Sequence, residues 1–247
     1  MRTRVAEYLY HRDRALTAQD CERLILEYFP EVHLVKCFAC LDPQKPDTPS
    51  PGQMLIVPVS PLYNDGRFVW DPKLSGKTLE DIKIFLSQRA SSFSKITVMN
   101  PEFEKVQIRC NVDFVNGTDE GERLLELNKQ VNNFLSPWSV HHHGHFFGWS
   151  LNKQQLQSYI EGLPYVEAIR DFSILKISSN DHCTYHMEES DENNNLIHGT
   201  YPWSILTPMK KHFFNVIAEK EDFRDISIGY GDLEVGSTFI IQRRNNV

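Results

Sequence analysis

The clearest hydrophobic pattern along the chain is a strict alternation. Val106, Ile108, Cys110, Val112 and Phe114 fall on one side, with Lys105, Gln107, Arg109, Asn111 and Asp113 on the other. A period of two belongs to a strand with one buried face. Elsewhere the period is helical. Cys21, Leu24, Ile25, Tyr28 and Phe29 recur at i, i+3, i+4, i+7 and i+8 behind a Thr17-x-x-Asp20 start, a variant of the capping box, and Pro30 stops the helix. A second helix begins at Thr78 and Asp81, turns Leu79, Ile82 and Leu86 inward and ends near Ala90. A third follows a turn at Gly117, with Thr118 or Asp119 as its cap, and lines its inner face with Leu124, Leu127, Val131 and Phe134 or Leu135 before Ser136-Pro137-Trp138 ends it. A fourth opens at Asn152 and Gln155, buries Leu156, Tyr159 and Ile160, and closes at Gly162 and Pro164. Strands are expected over 32–41, 53–60, 96–99, 146–150 and 166–177, with Pro58 marking an edge or a strand end. Residues 4–10 fit either a strand or a short helical turn. The proline-rich stretch 42–52 reads as an exposed loop, and 61–77 as a turn-rich connection.

The order is (β)αββαβ followed by βαβαβ. It predicts an α+β fold of two small split-βαβ, ferredoxin-like modules in tandem, 1–100 and 101–178, with 179–247 as a polar insert and short C-terminal β extension. Residues 178–200 are acidic and polar and suit a hairpin, an insert or a linker. Beyond them, 203–206, 212–217 and 238–241 are short strands in a tail too short for a core of its own.

Composition narrows the class. The 247 residues, 40% hydrophobic and 24% charged, suit one or two globular domains able to bury a core without disulfides or metal. Twelve Gly and 13 Pro without a period exclude a collagen-like or low-complexity chain. Apolar runs such as Met54-Leu55-Ile56-Val57 are strand-sized, far from the ~20 residues of a membrane span. Met1-Arg2-Thr3-Arg4 leads into Glu7, Tyr8 and His11 without an apolar core, so no secretory signal is expected and the chain reads as cytoplasmic. A formal charge of −7 argues against nucleic acid as the partner, although Arg2, Arg4, Arg12 and Arg14 form one dense group. The five Cys, at 21, 37, 40, 110 and 183, are odd in number and irregularly spaced. They read as reduced thiols, with Cys21 and Cys110 at apolar positions.

Candidate chemistry is sparse. His141, His142, His143 and His145 form a His-rich tract, yet neighbouring histidines on a loop seldom converge on one ion, and no H-E-x-x-H is present. His182, Cys183, His186 and His198 could supply a metal set, but in Asn- and Glu-rich sequence. Cys37-x-x-Cys40 lacks the second Cys pair of a zinc site and lies on or just after a strand. There is no G-x-S-x-G, no G-x-G-x-x-G and no P-loop. Phe146, Phe147 and Trp149 suit strand packing better than base stacking. On motifs alone no active site is demonstrable, and no catalysis and no cofactor are expected.

Several longer stretches go further. Arg14-Ala15-Leu16-Thr17-Ala18-Gln19-Asp20 runs through Glu27-Tyr28-Phe29-Pro30-Glu31-Val32 to Val35-Lys36-Cys37. Pro51-Gly52 precedes the strand Met54 to Val59. Asn116-Gly117-Thr118-Asp119-Glu120-Gly121 opens the long helix that ends in Phe134-Leu135-Ser136-Pro137-Trp138. Phe147-Gly148 leads through a helix to Leu163-Pro164-Tyr165-Val166. The tail holds Pro202-Trp203-Ser204-Ile205-Leu206-Thr207 and Glu234-Val235-Gly236-Ser237-Thr238-Phe239-Ile240. In this order the stretches resemble the C-terminal region of baseplate J-like proteins, wedge components of contractile phage tails and related injection machines. The resemblance implies a structural protein without catalysis. Its implied partners are other wedge subunits and a second copy of itself, with sheath or tube-proximal proteins as further candidates. It also implies assembly in the cytoplasm into a virion or injection particle, with no membrane insertion.

Family members usually carry a large N-terminal portion absent here, so either Met1 opens a piece of a longer protein or a short stand-alone version exists; the contacts of that portion are not carried over. Such a protein should expose apolar anchors. Tyr63, Trp70, Trp138 and Trp203 near turns, and Phe239 in the tail, are the candidates, set against the plainer role of plugging module edges. The competing reading is a metal-binding enzyme or metal-stabilised binding domain using the histidines of 141–145 and 182–198. A carbohydrate- or peptide-binding accessory domain has no positive support.

Overall fold

The computed structural model describes residues 13–64, 67–115, 119–138, 147–179, 185–190 and 195–216. The expectations for 4–10, for His141 to His145, for His182 and Cys183, and for Phe239 lie outside the described residues. The α+β class expected from the pattern is observed, in two compact units. The described residues of Met1–Glu102 together with Tyr201–Trp203 form the first, and those of Phe103–Thr200 with Ser204–Val247 form the second.

In the first unit, α1 (Ala18–Tyr28) starts at a complete capping box. The Thr17 hydroxyl accepts from the Asp20 N–H at 3.2 Å, and the Asp20 carboxylate accepts from the Thr17 N–H at 3.0 Å. The chain then forms β1 (Leu34–Ala39) and β2 (Gln53–Val59), antiparallel from Leu34 opposite Val59 to Ala39 opposite Met54. A small hairpin follows, β3 (Tyr63–Asn64) and β4 (Arg67–Phe68), inside the turn-rich connection. Next come α2 (Gly76–Ser87) and β5 (Lys95–Val98), which lies parallel to β2. A parallel neighbour requires a crossover, and α2 supplies it. The helix begins earlier than expected because Ser75, not Thr78, is the cap, its hydroxyl accepting from the Thr78 N–H at 3.2 Å. The sheet order β1-β2-β5 makes β2 central; Pro58 is tolerated because the β5 ladder stops at Ile56, so that only β1 flanks it.

The core of this unit is Cys21, Leu24 and Ile25 from α1, Ile82 and Leu86 from α2, and Val35, Cys37, Ile56 and Ile96 from the sheet. Tyr28 corrects the expected helix face: it is 49% exposed, because it sits in the last turn, where the chain leaves the sheet through Phe29 and Pro30. The open edge of β1 is blunted from α1: the Cys37 N–H donates to the Glu22 carboxylate at 2.9 Å, and the same carboxylate meets Lys36. Just past β5, the Asn100 amide clamps Leu74 on both backbone groups, at 2.8 and 3.0 Å.

In the second unit, β6 (Glu102–Phe114) buries the alternating set Val106, Ile108, Cys110, Val112 and Phe114 as expected. Asp119 caps α3 (Glu120–Leu135), and Leu127, Val131, Phe134 and Leu135 face the core. The strand expected at 146–150 is displaced to β7 (Ser150–Asn152), because Phe147 and Gly148 form a turn with Gly148 at φ +70°. Asn152 caps α4 (Lys153–Glu161), from which Leu156 and Ile160 are buried. β8 (Val166–Ser179) pairs antiparallel with β6, and a bulge at Asp171, φ +52°, sets two β8 residues against Cys110.

In the tail, the strands expected at 203–206 and 212–217 are present, and two more lie in the polar segment. β9 (Tyr185–Glu189) extends the main sheet beside β8, and β10 (Leu196–His198) pairs with β7, so the polar segment contributes two strands. β11 (Ser204–Pro208) is buried at every residue and joins β6, as does β12 (Phe213–Val216). These residues complete the sheet of the second unit rather than extending it.

Candidate interaction surface

Each unit presents one feature that a bare core does not need. In the first, the exposed end of α1 meets α2 through rings and a cation. Tyr28 lies 4.8 Å and Phe29 5.4 Å from Phe85, centroid to centroid. The Arg89 guanidinium sits 3.8 Å above Phe85 and 5.6 Å from Tyr28. Arg89 is held in place by Asp13 at 2.9 Å and by the Phe85 carbonyl at 3.1 Å. Leu16, before α1, and Arg89, in the turn after α2, line one shallow depression, and Ile84 on α2 is half exposed. Tyr28 is exposed and Phe29, Phe85 and Arg89 are half-buried beside it; aromatic rings and arginine fixed in this way have the composition enriched at protein contacts. A single ring, Phe93, stands 94% exposed in the turn before β5.

In the second unit the feature is buried. Glu104 and Lys176, their side chains only 3% and 8% exposed, lie 3.7 Å apart. Lys176 also reaches Glu188 at 2.8 Å and the His198 carbonyl at 2.9 Å. Glu104 accepts from the Thr200 N–H at 2.7 Å and from its hydroxyl at 3.1 Å. Charge taken from water this far survives only when paired and hydrogen-bonded. Here the pair ties residues 198–200 to β6 and β8.

The residues singled out from sequence fall apart in space. Trp70 and Trp138 are half-buried. Trp203 is 2% exposed and stacks on Tyr201 at 4.7 Å, which corrects its expected exposure: the indole fills a core position instead of projecting from a turn. His186 lies on β9 opposite Ser178 and His198 on β10 opposite Ser150, in separate sheets. Among the described residues no three His, Cys, Asp or Glu side chains are grouped to hold a metal. Cys37 and Cys40 diverge: Cys37 is buried beside Cys21, while Cys40 is exposed in the turn after β1, at φ +58°. The hydrogen bond to Cys21 and burial hold the Cys37 thiol well above its ordinary pKa. Burial alone pushes Cys110 up to about 12. Buried thiols with raised pKa values are inert packing residues. No helix among the described residues is long and apolar enough to cross a membrane.

Residues 1–202 match the family model described as "Baseplate protein PVC11-like". The chain belongs to this baseplate protein family. A solved chain from the "Cryo-EM structure of the anti-feeding prophage (AFP) baseplate, 6-fold symmetrised" is similar in fold, with a TM-score of 0.55 and 23% identity. That similarity covers 83% of this chain and 40% of the other, so the PVC11-like chain spans well under half the length of its structural neighbour. No curated protein matches it. The baseplate family expected from the resemblance thus stands for this chain.

Proposed function

We propose that this chain is a non-catalytic structural part of the baseplate of a contractile injection apparatus, acting through protein–protein contacts. The match of the baseplate family model over residues 1–202 carries this reading. On the finer reading, from the resemblance to baseplate J-like C-terminal regions, the chain is a wedge component that touches other wedge subunits and a second copy of itself. Sheath or tube-proximal proteins are further neighbours to test. Its net charge of −7 favours protein over nucleic acid or anionic lipid as the partner. Assembly then takes place in the cytoplasm and ends in the particle. The contact surface we assign first is the Tyr28, Phe85 and Arg89 face, with Trp70 and Trp138 as secondary anchors.

The test is genetic and structural together. Particles purified from producing cells should contain the chain in fixed stoichiometry, and deletion of its gene should leave tubes and sheaths without baseplates. Complete baseplates formed without the chain would overturn the reading. So would a turnover rate in the purified chain that depends on one of its own His or Cys residues.

A further inference from the structure

We propose that His212 is an acid-sensitive latch that holds β12 on β6, so that protonating its imidazole releases residues 209–216 from the edge of β6. β8 runs along one edge of β6, which leaves β11 and β12 to share the other. Between them the chain leaves the ladder at 209–212. The Met209 N–H still reaches the Val106 carbonyl at 2.9 Å, but the next donor along that edge of β6, the Ile108 N–H, has no strand opposite it, because the β12 register begins at Arg109. The side chain of His212 takes that place: its Nδ1 accepts from Ile108 at 3.1 Å. The imidazole therefore stands in for a missing strand carbonyl. It can do so only when Nδ1 carries no proton, because the imidazolium has two donors and no acceptor.

The surroundings give a charged ring nothing in return. His212 is 8% exposed, and its Nε2 has no hydrogen-bond partner. From α3, the neutral amide of Asn128 accepts from the His212 N–H at 3.0 Å and donates to the Lys210 carbonyl at 3.0 Å. Asn132, one turn on, also donates to Lys210, at 3.4 Å, and its own Oδ1 is buried without a partner. From β6, Gln107 donates to the Lys211 carbonyl at 3.2 Å. From β12, Phe214 packs 5.8 Å away. The charged side chains nearby do not compensate. Lys210 and Lys211 extend into solvent, Arg109 pairs with Glu189, and Asp171 connects to β12 only through Asn111 and Asn215, at 2.7 and 3.1 Å. Burial alone depresses the His212 pKa to about 3. A group whose folded pKa is depressed adds stability above its free value and loses it as pH falls. The window here opens at the free value of about 6.5 and runs down towards 3.

The experiment is hydrogen exchange on the full chain, following peptides over 209–216 and 106–112 from pH 7.5 to pH 5, corrected for intrinsic rates. Above pH 5 few carboxylates titrate, which isolates the histidines. The protection of 209–216 should fall about tenfold for each pH unit below 6.5, roughly 30-fold by pH 5. His212→Asn keeps a short acceptor near Nδ1 but cannot titrate, so its protection should be flat over the same window. Equal losses in the two proteins, or none in either, would overturn the latch. If the variant fails to dock at pH 7.5, ring nitrogen chemical shifts of wild-type His212 decide. An unprotonated Nδ1 whenever β12 is protected supports the latch, and a charged ring in a protected β12 refutes it.

Discussion

Replacing Lys176 with methionine removes the countercharge from a carboxylate that has almost no access to water. The Glu104 side chain is 3% exposed and lies 3.7 Å from the lysine ammonium. Without Lys176 it keeps, among the described residues, the two Thr200 donors, at 2.7 and 3.1 Å. Breaking one side of a buried pair costs about 3–5 kcal/mol. The Thr200 bonds place this site at the lower end, about 3 kcal/mol, which for a chain of this size is a fall in Tm of roughly 10 °C. The direct loss is local, because Lys176 also holds the His198 carbonyl at 2.9 Å. Hydrogen exchange over 195–200 should therefore report it before global unfolding does. The decisive comparison is the double variant Glu104→Gln/Lys176→Met, which buries no unpaired charge. It should be more stable than Lys176→Met alone, with a coupling of about 2 kcal/mol between the sites. A Lys176→Met protein within about 0.5 kcal/mol of wild type, or strictly additive single variants, would refute the buried-charge reasoning.

Leu24→Asp places a charge at a fully buried position of the first core and should unfold that unit at a cost of several kcal/mol, read as lost hydrogen-exchange protection over 18–59; a wild-type melting profile would show the helix face misassigned. Thr17→Ala removes one half of the capping box and should lower stability by about 1 kcal/mol in urea titrations, with no change where the cap bond is already broken. Phe85→Ala and Arg89→Ala alter the aromatic–cation face. Each should reduce incorporation into particles while leaving the circular dichroism spectrum intact, and normal incorporation of both would move the contact surface elsewhere.

Local periodicity read most of the elements correctly because it reports on a single helix or strand and its own buried face. The Val106 to Phe114 alternation and the Cys21, Leu24 and Ile25 stripe both lie in cores as the pattern required. The pattern failed where tertiary context decides. Tyr28 keeps the helical phase of the core positions but lies past the edge of what the sheet covers, so phase alone could not show that it faces water. For Trp203 the sequence leaves an exposed anchor and a plug at a module edge equally open, and only the folded chain shows the indole buried. Strands β11 and β12 lie where short strands were expected, at 203–206 and 212–217, whereas β9 and β10 are short and set in polar sequence that fits a hairpin, an insert or a linker equally. Their burial comes from pairing with β6, β7 and β8, partners distant in sequence that no window of a few residues contains.

The buried ion pair shows a signal that was present and could have been used. Glu104 falls two residues before Val106, in phase with the inward face of β6. Lys176 falls two residues after Ile174, in phase with Phe172 and Ile174 on β8. A charge at an inward position is either an error in the strand phase or half of a pair, since burying it alone is too costly. Two such charges of opposite sign, one on each of two strands that must pair antiparallel, point to each other. The register bears this out, with Val106 opposite Lys176. His212 carries no comparable signal. Its role depends on a gap in the ladder between β11 and β12, and that gap exists only once both strands have found the same edge of β6. Charges out of place in a periodic pattern can be read from one chain; acceptors supplied to an orphaned backbone donor appear only after the sheet is assembled.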